Sequence, residues 1–121
     1  VIATENAPKA VGPYSQAIEV NGTLYISGQI PVNPADGQVQ TEITAAAHQS
    51  LKNIGAILAE AGMTYDNVVK TTVLLADIAD FKAVNEVYAE YFTGDKPARA
   101  CYQAAALPLG VKVEIEAIAV K

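Results

Sequence analysis

Apolar and polar residues alternate with a period of two near both ends of the chain and follow a helical period in between. The alternating segments 14–20 and 23–28 flank Asn21-Gly22. Asn-Gly supplies the two positive-φ positions of a type I′ turn, so the pair reads as a β-hairpin. Residues 30–39, "IPVNPADGQV", hold two prolines and Asp36-Gly37, and read as a turn-rich loop. The period then changes. Ile43, Ala47, Leu51, Ile54, Leu58 and Ala61 form a single stripe at helical spacing. Thr41 is the expected N-cap and Gly62 the expected residue just past the helix end. The β-branched run 68–76 reads as a buried strand. Asp80 is the expected cap of a second helix with Phe81, Val84, Tyr88 and Tyr91 along its face, ended by Gly94 and Pro97. Strands over 98–105 and 111–120, joined by the turn 107–110, close the chain.

This β-β-loop-α-β-α-β-β order predicts one α+β domain over residues 1–121, a mixed sheet with both helices on one face. The other face is then open, and a ring of identical subunits would cover it. A chain of 121 residues buries enough surface for a core without staples. Hydrophobic residues make up 51% of it and charged residues 17%, below the roughly 25% usual for a soluble domain. The apolar excess fits an oligomer interface.

Charge and motifs narrow the partners. The net charge is −5 and the basic residues are scattered, which argues against nucleic acid as a partner. No apolar run approaches the ~18 residues of a membrane span, and the first fifteen residues lack the apolar core of a signal peptide. The single cysteine excludes an intrachain disulfide and fits a reducing compartment, with the cytoplasm as the expectation. His48 is the only histidine, and no CxxC or HExxH spacing accompanies it, so no metal site is expected. The glycine-bearing stretch "GQIPVNPADG" lacks the spacing of a phosphate loop.

The last two strands carry charges in apolar surroundings, which is costly unless something pairs with them. Alternation places Arg99, Cys101 and Gln103 on one face, and Lys112, Glu114 and Glu116 on one face of the final strand. If the two strands lie near each other in suitable register, arginine, thiol and carboxylates meet in one pocket. Spacing alone reads equally as a solvated ladder of Arg, Glu and Lys. Tyr14, Ser27-Gly28 and Asn85 sit at element ends or on a helix. They read either as cleft residues or as a packed aromatic, a strand-ending hydroxyl and a surface amide. Cys101 is either an inert buried thiol or a nucleophile that meets His48 in space.

Three stretches carry a resemblance that spacing does not supply. "ENAPKAVGPYSQAIEVNGTLYISGQIPVNP", "VVKTTVLLADIADFKAVNEVYAEYF" and "PARACYQAAALPLGVKVEIEAIA" together resemble the YjgF/RidA family of reactive-intermediate deaminases over nearly the whole chain. The resemblance implies a chorismate-mutase-like α+β fold and a homotrimer with a barrel-like core and clefts between subunits. It implies hydrolysis of short 2-imino acids, 2-iminopropanoate and 2-iminobutanoate, to 2-oxo acids and ammonia, without cofactor or metal. That activity protects pyridoxal-phosphate enzymes from 2-aminoacrylate. By match to the family's motifs, Arg99 would grip the substrate carboxylate and Glu114 would deprotonate the attacking water. The Cys101 backbone would help place that water, and Tyr14, Ser27, Gly28 and Asn85 would line the cleft. Glu116 matches no catalytic position. Family members carry basic residues where this chain has Ala106 and Leu109, near the strand end and away from Arg99 and Glu114. That departure bears on rim charge and substrate range. A trimer that binds 2-oxo acids without turnover and a ribonuclease or translation inhibitor are the alternatives.

Overall fold

A computed structural model describes all residues, Val1–Lys121. The hairpin forms as the sequence predicts. β1 (Ala17–Val20) and β2 (Thr23–Gln29) are joined through Asn21 and Gly22, both at positive φ (51° and 80°), as a type I′ turn requires. β1 begins at Ala17, three residues later than the alternation suggested. The buried Gln16 side chain explains the delay. Its amide donates to the carbonyls of Thr4 and Pro8, tying the N-terminal arm to the sheet edge instead of extending the ladder.

Helix α1 (Ile43–Glu60) buries Ala46, Ala47, Leu51, Ile54, Ile57 and Leu58. Its cap is Glu42, not Thr41: the Glu42 carboxylate accepts from Ala45 N at 2.7 Å. A carboxylate there also meets the positive end of the helix dipole, a gain that a threonine hydroxyl lacks. At the far end Gly62 sits at φ 75°, with Gly62 N donating to Ala59 O and Met63 N to Leu58 O. That is a Schellman ending, with buried Met63 packing back on the helix. Leu51 is fully buried at the centre of this stripe. Leu51→Ala is expected to cost about 2–5 kcal/mol, read as a lower urea midpoint at unchanged slope.

β3 (Val68–Leu75) leads through a 3₁₀ turn (Ile78–Asp80) into α2 (Phe81–Tyr91). The capping expectation for Asp80 fails. Asp80 has helical backbone angles and makes no side-chain cap bond, while Asp77 accepts from Ala79 N. The 3₁₀ turn moves the cap three residues upstream. β4 (Ala98–Gln103) and β5 (Val113–Val120) follow, β4 ending two residues earlier than predicted.

The five strands form one mixed sheet in the order β1-β2-β5-β3-β4. β3 and β4 run parallel, as a strand pair joined by a crossover helix must, and the other pairs are antiparallel. Both helices lie on one face. Under them β5 buries Val113, Ile115, Ala117 and Ala119, and β3 buries Val73 and Leu75. The opposite face exposes Ile18, Val20, Tyr25, Tyr102 and Val120. No helix is long and apolar enough to cross a membrane.

Candidate active site

The register that would bring Arg99 and Glu114 together in one chain is not found. β3 lies between β4 and β5. Arg99 is level with Thr71 and, beyond it, Ala117, whereas Glu114 is level with Leu74 and Tyr102. The residues differ by an odd step, so they point to opposite faces. Two strand spacings across and three residues along put their Cα atoms roughly 14 Å apart. One chain therefore presents two half-sites.

The first half-site is at the free edge, on the helix face. The guanidinium of Arg99 donates from Nη1 to Asn85 Oδ1 at 2.7 Å. Its Cζ lies 4.8 Å from the Tyr88 ring centroid and 5.5 Å from that of Phe81. These are cation–π distances. Asn85, Tyr88 and Phe81 are spaced by four and three along α2, which brings all three to one stripe facing β4. Arg99 is solvent-exposed and has no carboxylate partner. The remaining guanidinium N–H groups can take an anion, and a fork of this shape matches a carboxylate in bidentate fashion. Cys101 is on the same face, half-buried. Burial pushes its thiol above the ordinary value, against the opposing pull of Arg99. Such a thiol is protonated and poorly nucleophilic at neutral pH. His48 does not meet it: His48 Nδ1 is 2.8 Å from the Tyr91 hydroxyl, and its Nε2 is 3.7 Å from Glu90.

The second half-site is on the open face. Glu114 lies directly over Gly28, where β2 is bulged between Ile26 and Gln29. A Cβ on Gly28 would clash with the Glu114 side chain, so the carboxylate could not keep this position beside any larger residue. Burial raises the Glu114 pKa above its ordinary value, and the neighbouring charge of Glu116 raises it further. Ser27 donates from Oγ to Ser15 O at 2.6 Å and so holds the bulge to the chain entering β1. Gly28, Tyr14, Val11, Ile30 and Leu109 line a common cavity of about 290 Å³. Leu109 thus shares a cavity with Gly28, the glycine against which Glu114 lies. It is held at φ 57°, a left-handed conformation that bulky residues rarely adopt, with its side chain exposed in that wall.

Sequence reading missed Phe81 and Tyr88, which pack on Arg99, and Thr71, which bonds Tyr88. Periodicity alone places Phe81 and Tyr88 in an apolar stripe. The available signal was that Asn85 shares their face.

The endoribonuclease L-PSP family model matches residues 4–121. The 2-iminobutanoate/2-iminopropanoate deaminase of Mus musculus is 59% identical over 122 residues, spanning 100% of this chain and 90% of the relative. The crystal structure of Escherichia coli TdcF with bound serine superposes with a TM-score of 0.97 at 42% identity, covering 100% of this chain and 98% of that one. The YjgF gene product of Escherichia coli superposes with a TM-score of 0.96 at 49% identity, covering 99% of this chain and 97% of that one.

Proposed function

The chain belongs to the endoribonuclease L-PSP family, also called YjgF/RidA, and from that premise we propose that it is an imine deaminase. It hydrolyses short 2-imino acids to 2-oxo acids and ammonia and so removes 2-aminoacrylate-derived electrophiles. The observation that carries the reading is Arg99, held by Asn85 and Tyr88 at a free sheet edge with most of its fork unused. The name of the mouse relative supports the same reaction.

Opposite-face placement supports a further step: the catalytic centre is assembled between chains. The Arg99 edge of one subunit faces the Glu114–Gly28 surface of another, and a homotrimer closes the open apolar face into a barrel. In that cleft Arg99 fixes the substrate carboxylate. Glu114 accepts a proton from a water molecule as the water oxygen bonds to the imine carbon. Glu114 returns that proton to the nitrogen of the tetrahedral adduct, and as ammonia leaves the hydroxyl gives up its own proton to the carboxylate and the C=O bond forms. Edge strand β4 leaves backbone groups unpaired, which suits the Cys101 backbone to holding the water. Tyr14 and Leu109 wall the space for the short side chain. The lone free cysteine fits a reducing compartment such as the cytoplasm.

The test is competition for an unstable substrate. A dehydratase generates 2-aminoacrylate from serine, semicarbazide traps the imine, and the semicarbazone is followed with and without this protein. Suppression of trapping is the expected result. No suppression with either the three- or the four-carbon imine would leave carboxylate binding without turnover. Metal-free cleavage of RNA that depends on Arg99 would revive the ribonuclease reading, which the net charge of −5 disfavours. Gly28→Ala should lower kcat by about 10²-fold, because the new Cβ displaces the base. Binding of a 2-oxo acid by Arg99 should change little.

A further inference from the structure

The side chain of Arg99 is enclosed by a loop of contacts that returns to its own backbone. Its guanidinium stacks on Tyr88 from α2. The Tyr88 hydroxyl is 2.7 Å from Thr71 Oγ1 on β3. Thr71 is the register partner of Arg99 across the β3–β4 ladder. Tyr88 is 6% exposed and Thr71 is 1% exposed, so this hydrogen bond is sheltered from water. The Phe92 ring packs against Tyr88 with centroids 4.5 Å apart.

We propose that Tyr88, oriented by Thr71, is a positioning residue for Arg99 and sets how tightly the site holds a substrate carboxylate. The proposal rests on the reading of Arg99 as the carboxylate clamp. An arginine on a free edge strand samples many rotamers, and a ligand that freezes them loses affinity. The ring removes most of that freedom before the ligand arrives. Asn85 holds one arm of the fork by a hydrogen bond, and the Tyr88 ring lies 4.8 Å from its central carbon. Tyr88 is buried beneath the guanidinium and acts through it. The Thr71 bond anchors the hydroxyl end of the ring.

The experiment measures the Kd for 2-oxobutanoate by calorimetry, with KM and kcat from the trapping assay and Tm from thermal melts. Tyr88→Leu should weaken binding about tenfold, with the loss in KM and kcat nearly retained. Tyr88→Phe keeps the ring and should restore most of the affinity, leaving about a threefold loss, and Thr71→Val should show the same threefold loss. A purely structural role would lower Tm in these variants and leave Kd at the wild-type value. That result, alongside an Arg99→Ala variant that no longer binds, overturns the positioning role while the clamp stands. Wild-type affinity in Arg99→Ala overturns the clamp itself. If Tyr88→Leu does not fold, Tyr88→Phe and Thr71→Val decide, and unchanged Kd and KM in both reject the proposal.

Discussion

Arg99→Ala is expected to lower kcat/KM for the three- and four-carbon imines by about 10²–10⁴-fold. The estimate follows from two charge-assisted hydrogen bonds to a carboxylate, each worth about 1.5–3 kcal/mol, against about 1.4 kcal/mol per decade. A substrate this small offers few other handles. The carboxylate is gripped before and during the chemistry, so most of the loss should fall on KM. Arg99→Lys keeps the charge but not the fork, nor the flat stack on Tyr88, and should recover only part of the activity. Semicarbazide competition reads the result. Activity of Arg99→Ala within about threefold of wild type would contradict a loss of even one such bond.

The same variant tests whether two chains build one centre. Neither Arg99→Ala nor Glu114→Gln should act alone. In co-refolded mixtures, some clefts receive an intact Arg99 from one chain and an intact Glu114 from another. Random assembly of equal amounts should return about a quarter of wild-type activity. A site contained within one chain would return none.

Much of the fold was legible because local signals agreed with the global arrangement. The Asn21-Gly22 turn, the α1 stripe and the Gly62 ending each rest on backbone geometry that few residues can supply. Caps were less legible, since Glu42 and Asp77 displace neighbours that are equally good in composition. The site was legible as residue types and not as a place. Alternation along β4 and β5 put Arg99 and Glu114 on definite faces of their own strands. It could not reveal that β3 intervenes, because strand order is set by the crossover through α2 and by which edges pair. Gly28 gave a similar partial signal. A glycine in a strand suggests a bulge or a close approach, and only the folded chain names Glu114 as the group that approaches.

Glu114→Gln should lose about 10²–10⁴-fold in kcat, the usual contribution of a positioned base, with little change in 2-oxo acid binding. It should also make the protein more stable at neutral pH. The folded-state pKa of Glu114 lies above its ordinary value of 4.5, first because of burial and then because of Glu116. A raised carboxyl pKa means that the folded state holds the proton more tightly than the unfolded state does. Its stabilising contribution is complete below pH 4.5 and is lost as the pH rises through the folded-state value. At pH 7 the wild type therefore bears the cost of an ionised, half-buried carboxylate, which the neutral amide of similar shape avoids. The Tm of Glu114→Gln should exceed that of wild type at pH 7, and the difference should vanish as the pH falls below 4.5. Activity should mirror this. The base works only when ionised, so the acid limb of the wild-type rate profile should lie above pH 4.5. Glu116→Gln removes the neighbouring negative charge and should move that limb to lower pH while leaving the plateau in place. A Glu114→Gln variant that is inactive but no more stable at pH 7 would mean that the carboxylate is paired in the assembled cleft. An acid limb unmoved by Glu116→Gln would leave burial alone as the cause of the raised Glu114 value.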